Sequence, residues 1–380
     1  MNMRTILSVV AIGAGALAIG ACGDDDDSST STSGGGATQA ATQEGGGSAS
    51  GKIALLLPES KTARYESQDR PGFENKMKEL CPDCEIIYSN ADQDASKQQN
   101  QAEAALTEGV DVMVLDPVDS ASAAAIVNRA KQSDVPVISY DRLILDAPVD
   151  YYISFDNTKV GELQATSLSD KLEEDGNPTG PIVKINGAPT DNNAKLFKEG
   201  SNSVFEERGV EIAKQYDTPD WSPDKAQQEM EQAITAVGKD KIKGVYAAND
   251  GTAGGAIAAM KSAGMDPKQI PVTGQDAELA AIQRIVAGEQ YMTVYKAIKP
   301  EAEAAAELAF ALLQGQDPPA GLVNGEEDNG QGMVPSVLLE PVAVTVDNIN
   351  DTIIADGFWT VEQICTPEYE QACQEAGIGG

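Results

Sequence analysis

The sequence contains no histidine. Histidine titrates near neutral pH, stands at the centre of the common catalytic triads and is the commonest zinc ligand. Its absence therefore removes the usual general base and the usual metal anchor together. Basic residues are scarce as well: 27 Lys and Arg against 60 Asp and Glu leave a formal charge of −33 over 380 residues. Such a chain has no basic face for nucleic acid or for anionic lipid headgroups, and a solvated acidic surface is the ordinary reading of its charge. No helix opens with GxxxxGK[ST] and no GxGxxG follows the first strand, so the phosphate-cradling loops are missing too. No cofactor and no metal are expected.

The first apolar stretch, Ile6 to Ile19, is too short to span about 30 Å of hydrocarbon with its flanks. With Arg4 before it, it reads as the hydrophobic part of a signal peptide over residues 1–21. It runs into Ile19-Gly20-Ala21-Cys22, small residues before a cysteine, as a lipoprotein signal peptidase requires. Cys22 is the expected lipidation site. Residues 22–51 are Asp, Ser, Thr, Gly, Ala and Gln with little apolar content, a polar tether that cannot offset its own ordering entropy. The expectation is a globular part anchored to the outer face of the cytoplasmic membrane through lipid.

Four further cysteines stand in two close pairs, Cys81/Cys84 and Cys365/Cys373. Even pairing in an exported chain reads as disulfides. The rival for Cys81-Pro82-Asp83-Cys84 is a redox site. Those sit at helix N-termini, whereas this motif follows the helical stretch PGFENKMKEL and is surrounded by Glu79, Asp83 and Glu85, which raise a thiol pKa.

From Lys52 onward, short apolar runs alternate with amphipathic stretches. KIALLL, EIIYS, DVMVL, PVISY and YYISF read as strands in the first part. PIVKI, VEIAKQY, GVYAA, PVTG and MTVY follow in the second. Helical segments lie between them, so the fold class is α/β with right-handed crossovers and parallel sheets. About 330 residues exceed what a single core usually holds, so two doubly wound lobes are expected.

Polar and aromatic residues follow these strands. Arg64 and Tyr65 come after the first, and Asp141 and Arg142 after PVISY. Asp191, Asn192 and Asn193 come after PIVKI, and Trp221 after VEIAKQY. Asn249 and Asp250 follow GVYAA, Gln275 and Asp276 follow PVTG, and Lys296 follows MTVY. Ligands of open α/β sheets bind outside the carboxyl ends of the strands. The order alone therefore places a polar cleft between two facing lobes. Carboxylates, amides, guanidinium groups and aromatic faces together suit a neutral sugar, whose hydroxyls donate and accept while its ring presents C–H patches. Each residue also has a plainer role. Asp191, Asn192, Asn193 and Asp250 precede helices and serve as caps on that view. Arg142 with Asp141 becomes a local ion pair, Trp221 a surface-loop anchor and Lys296 a solvated strand end.

YDRLILDAPVDYYISFDNTKVGELQA, NGAPTDNNAKLF, ANDGTAGGAI, GQDAELAAIQRIVAGEQYMTVYK and VPSVLLEPVAVTVDNINDTIIADGF carry a resemblance. From about Lys52 to Phe358 the chain resembles the pentose/hexose-binding periplasmic proteins of ABC importers, which have the periplasmic binding protein type I fold. The resemblance implies a monosaccharide, D-xylose foremost, held by Arg64, Tyr65, Asp141, Arg142, Asp191, Asn193, Trp221, Asn249, Asp276 and Lys296. It also implies a separate permease and ATPase as partners, a monomer, and no enzymatic activity. The loop SKTARYESQDRP departs from the family pattern, so arabinose, glucose or a mixed pentose range stays open. The family topology implies three crossings between lobes, near Phe155-Asp156, Ala297-Ile298 and Gly332-Val334. The lobes are then 52–155 plus 298–332 and 156–297 plus 333–358, with 359–380 a tail outside the resemblance. A surface receptor feeding a sensor kinase is the nearer alternative. A carbohydrate-active enzyme using Asp141 and Asp276 is the more distant one.

Overall fold

The computed structural model describes residues 50–379. The signal segment, Cys22 and all but the last two residues of the tether lie outside the described residues.

In the first lobe, β1 (Lys52–Leu57), β2 (Glu85–Asn90), β3 (Val112–Leu115), β4 (Val137–Tyr140) and β5 (Tyr151–Phe155) form parallel ladders. Their near-continuous apolar runs are what a strand covered by helices on both faces requires. Alternate residues feed two cores. Ile53, Leu55 and Leu57 pack with Phe73 and Met77 of α1 (Arg70–Leu80) and with the alanine-rich face of α9 (Ile298–Gln314). Ala54 and Leu56 face α2 (Ala95–Thr107) and α3 (Ala124–Gln132).

In the second lobe, β6 (Ile182–Asn186) lies between β7 (Ile212–Asp217) and β8 (Gly244–Ala247), all parallel. The segment PVTG, expected as a strand, makes single parallel bridges instead: Val272 to Val245, with Gln275 just beyond it reaching Val294. It links β8 to β9 (Thr293–Tyr295), which pairs antiparallel with β12 (Val342–Val344). Helices α4 (Asn157–Glu174) and α5 (Asn192–Arg208) cover one face, and α6 (Pro223–Val237) and α7 (Asp250–Ser262) the other. α4 and α5 cross at glycines: a Cβ on Gly161 would lie 2.1 Å from the Phe197 carbonyl oxygen.

Two expectations are corrected. Strand β11 (Met333–Leu339) pairs parallel with β5 in the first sheet, after a hairpin with β10 (Gly325–Asp328). The third crossing therefore falls between Leu339 and Val342, not near Gly332-Val334, and β11 belongs to the first lobe. Residues 359–379, expected as a tail, pack onto the second lobe. Trp359, Ile364, Cys373 and Ile378 share an apolar cluster with Ile282 and Ile285 of α8 (Leu279–Val286).

Cys81–Cys84 and Cys365–Cys373 are disulfides, with Cα atoms 5.3 and 5.9 Å apart. Cys81 caps the C-terminus of α1, the helix end where a dipole does not favour a thiolate. Among the described residues, no helix is long and apolar enough to cross a membrane.

Candidate functional site

The strand ends of the two lobes meet. Arg64, Tyr65, Asp141 and Arg142 come from the first lobe, and Asp191, Asn193, Trp221, Asn249, Asp276 and Lys296 from the second. All ten line one cavity, joined by Thr62, Phe197 and Gln275. Each of the ten is at most 5% exposed, so the lobes close over the site. The free space among these atoms is about 20 Å³, well below the usual range for ligand cavities. So small and enclosed a space excludes an oligosaccharide.

The charged groups cross-brace the lobes. Arg64 forks onto Asp69, with Nε 2.9 Å from Oδ2 and Nη2 2.6 Å from Oδ1. Its Nη2 also donates to Glu301 at 2.7 Å, and its Nη1 donates to Asp141 at 3.0 Å. Lys296 Nζ lies 3.4 Å from Asp141 and 3.2 Å from Asp276. Arg142 donates to the Tyr65 hydroxyl at 3.1 Å and to the Pro117 carbonyl at 3.2 Å. Its Nε stands 3.0 Å from Asp191. Asn193 Nδ2 reaches from the second lobe to the Asp141 carbonyl oxygen at 2.9 Å.

Burial and these charges oppose each other. Burial alone would raise the Asp141 carboxyl, but Arg64, Lys296 and Arg142 hold it well below the usual range. Burial wins at Asp191, raised despite Arg142, and at Asp116 and Glu301, both raised well above ordinary values. Burial would lower Lys296, yet Asp141 and Asp276 keep it above its ordinary value. The cation is therefore firmly protonated at neutral pH.

Three atoms of this wall are buried without a hydrogen bond: Gln275 Oε1, Asp276 Oδ1 and Arg142 Nε. The last two are held by ion pairs alone. They retain capacity for hydroxyl groups of a guest. Trp221 packs edge-on against Phe197, with ring centres 6.3 Å apart, and its indole N–H donates to Asp191 at 3.0 Å. The indole needs Gly187: a Cβ there would lie 2.0 Å from Trp221 Cη2. Asp141, Trp221 and Asp276 all have positive φ, at 52°, 52° and 90°. Strained backbone held by its surroundings is typical of ligand clamps.

The plainer roles sort out residue by residue. Asp191 caps α5, accepting from Asn193 N at 2.8 Å, and also faces the cavity. Asn192 lies outside the cavity lining. Asn249, not Asp250, caps α7, through a capping box with Thr252. Asp250 is instead fully buried and accepts from Gln290, Thr293 and the Glu278 N–H. Burial, reinforced by Asp276 against the pull of Arg284, pushes its carboxyl up to about 7. Lys296 is not solvated, and Trp221 is no surface anchor.

Sequence reasoning passed over Asp116, which ends the strand DVMVL and stands 3.5 Å from Arg142 Nε. The strand-end rule had reach enough to find it. Glu301 and Phe197 project from within helices, where no such rule applies.

Two doubly wound lobes closed on a buried polar cavity define a two-lobed binding protein, and the family follows. The chain belongs to the periplasmic binding protein domain family, whose profile matches residues 53–317. It is 41% identical over 313 residues to the D-xylose-binding periplasmic protein of Escherichia coli (strain K12), covering 81% of this chain and 90% of the relative. Identity to the D-xylose-binding periplasmic protein of Haemophilus influenzae is 40% over 317 residues, or 82% of this chain and 92% of the relative. Among solved structures, an ABC transporter solute binding protein from Clostridium phytofermentans with bound β-D-glucose matches with a TM-score of 0.72 at 28% identity. That match covers 82% of this chain and 99% of the other.

Proposed function

We propose that this protein is the extracytoplasmic substrate-binding component of a sugar ABC importer. It captures one monosaccharide, D-xylose foremost, between its lobes and presents it to a permease. The observation that carries the reading is the cavity itself. Carboxylates, guanidinium groups, amides and Trp221 from both lobes converge there, with hydrogen-bonding capacity left over. A carboxylate-rich wall repels anionic ligands, and mixed donors and acceptors match a polyol. The relatives named for D-xylose support the pentose, and the glucose-bound structure keeps a hexose in the comparison. Lipidation at Cys22 would hold the protein at the membrane through its polar tether.

An enzymatic reading of Asp141 and Asp276 has little support. The relatives that the chain matches are named as sugar-binding proteins and not as hydrolases. Isothermal titration of the full chain with D-xylose, L-arabinose, D-ribose and D-glucose tests the proposal. One-to-one binding, tightest for D-xylose, is expected. The proposal fails if none of the four gives heat.

A further inference from the structure

Residues 276 and 277 are a stressed point in the site. Asp276 and Ala277 are consecutive non-glycine residues with positive φ, at 90° and 50°. Their amides are held from inside the lobe: Asp276 N donates to the Val294 carbonyl at 2.9 Å and Ala277 N to Thr293 Oγ1 at 3.2 Å. The Ala277 carbonyl points the other way and accepts from the Trp359 indole N–H at 2.8 Å. Trp359 is half-buried and begins the C-terminal segment.

The same segment reaches the second charged residue of that lobe. Phe358 stacks edge-on with Trp359 at 5.3 Å and with Tyr295 at 5.1 Å, and Tyr295 immediately precedes Lys296. The segment is itself fastened. Cys365–Cys373 closes it on itself, and the Gln283 amide donates to the Gln363 carbonyl at 3.1 Å. Asn350 donates to the Gly377 carbonyl at 3.0 Å and accepts from the Gly379 N–H at 3.1 Å. Ile364, Cys373 and Ile378 are buried against Ile282 and Ile285.

We infer that the C-terminal segment is a brace for the binding site, with Trp359 a positioning residue that sets Asp276 through the Ala277 carbonyl. This rests on the reading of the cleft as the sugar site. Two adjacent left-handed residues persist only where their surroundings over-determine them. The indole N–H supplies that restraint from the C-terminal segment, and the disulfide-closed segment holds the indole. Trp359 does not line the cavity. It acts by narrowing the range of positions open to Asp276, which pairs with Lys296 at 3.2 Å.

The variant Trp359→Phe keeps an aromatic ring against Phe358 and removes the indole N–H together with its five-membered ring. Two readouts on the full chain are taken, D-xylose affinity by titration calorimetry and amide hydrogen exchange across residues 274–279. Loss of this half-buried hydrogen bond predicts binding weaker by about 3- to 10-fold. Exchange at 276–278 should quicken while that of β6 and β8 stays as in the parent. A merely structural role would loosen the whole second lobe alike, and uniform exchange across it overturns the inference. Unchanged affinity or unchanged exchange at 276–278 overturns it too. Asp276→Asn is measured alongside. If Asp276→Asn binds like the parent, the site reading itself is lost. If Asp276→Asn weakens binding and Trp359→Phe does not, only the brace is.

Discussion

Arg142 of the first lobe and Asp191 of the second form an ion pair across the closed cleft, with Nε 3.0 Å from Oδ2 and both side chains at most 3% exposed. Asp191 is also the cap of α5 and the acceptor for Trp221, so one carboxylate ties the helix, the aromatic wall and the opposite lobe together. Arg142→Ala leaves Asp191 and Asp116 buried without their cation. Unpaired buried polar groups cost about 2–3 kcal/mol here, or about 30- to 150-fold in D-xylose affinity. Small-angle scattering at subsaturating sugar should also show a larger open fraction. An Arg142→Ala protein with parental affinity would remove Arg142 from the site.

Trp221 yields a paired expectation. Trp221→Ala strips a wall of the cavity and leaves Asp191 Oδ2 with Arg142 as its remaining partner. Affinity should drop at least as far as in Arg142→Ala. Gly187→Ala should mimic it with the tryptophan intact, because the new methyl would overlap the indole at 2.0 Å. Titration of both variants checks this. Gly187→Ala binding like the parent would show that the indole has another resting place.

The site was readable in order along the chain because parallel strands put their carboxyl ends on one edge. The residues that follow KIALLL and PVISY in one lobe, and PIVKI and MTVY in the other, were bound to converge. What escaped had specific causes. Glu301 contacts Arg64 from the first turn of α9, and one glutamate in KPEAEAAAE looks like any other. Asn249 and Asp250 are adjacent candidates for one cap, and only the backbone shows which side chain turns back to Thr252. The third crossing was misplaced because the hairpin of β10 and β11 keeps the chain in the first lobe for one more strand. The misplaced crossing came from the family topology, and Pro335, which has no N–H for a ladder, gives MVPSVLL no clear strand pattern to correct it. Residues 359–380 read as a tail because they fall outside the family resemblance, yet Ile364, Cys373 and Ile378 pack against α8.

The anchor is tested apart from the site. If Cys22 carries the lipid, Cys22→Ser should move the protein from the membrane to the soluble fraction with sugar affinity unchanged. The ten cavity residues all lie beyond the tether, at position 64 and later. Continued membrane association of Cys22→Ser, measured by fractionation, would place the anchor elsewhere.

Lys184 sets a pH dependence unconnected with binding. It sits in β6, fully buried, with its ammonium donating to Ser201 Oγ at 2.8 Å and lying 4.9 Å from the centre of the Tyr246 ring. Burial, with Lys198 nearby, lowers it to about 7. An unfolded lysine keeps its proton to about pH 10.4. Between those values the unfolded chain binds the proton that the folded chain has released. The contribution to stability therefore rises with pH across this window, by up to about 1.4 kcal/mol per pH unit, and flattens above it. At pH 7 the folded lobe still bears most of the strain of a half-charged amine shut away from water. Lys184→Met keeps the length of the chain and removes the charge, so it should raise the unfolding midpoint at pH 7 and abolish the slope above it. Denaturant titrations of parent and variant at pH 7, 8 and 9 measure both effects. A parent whose stability is flat from pH 7 to 9, or parallel curves for the two proteins, would mean that Lys184 stays charged in the fold, held by Ser201, Asn202 and the Lys198 carbonyl.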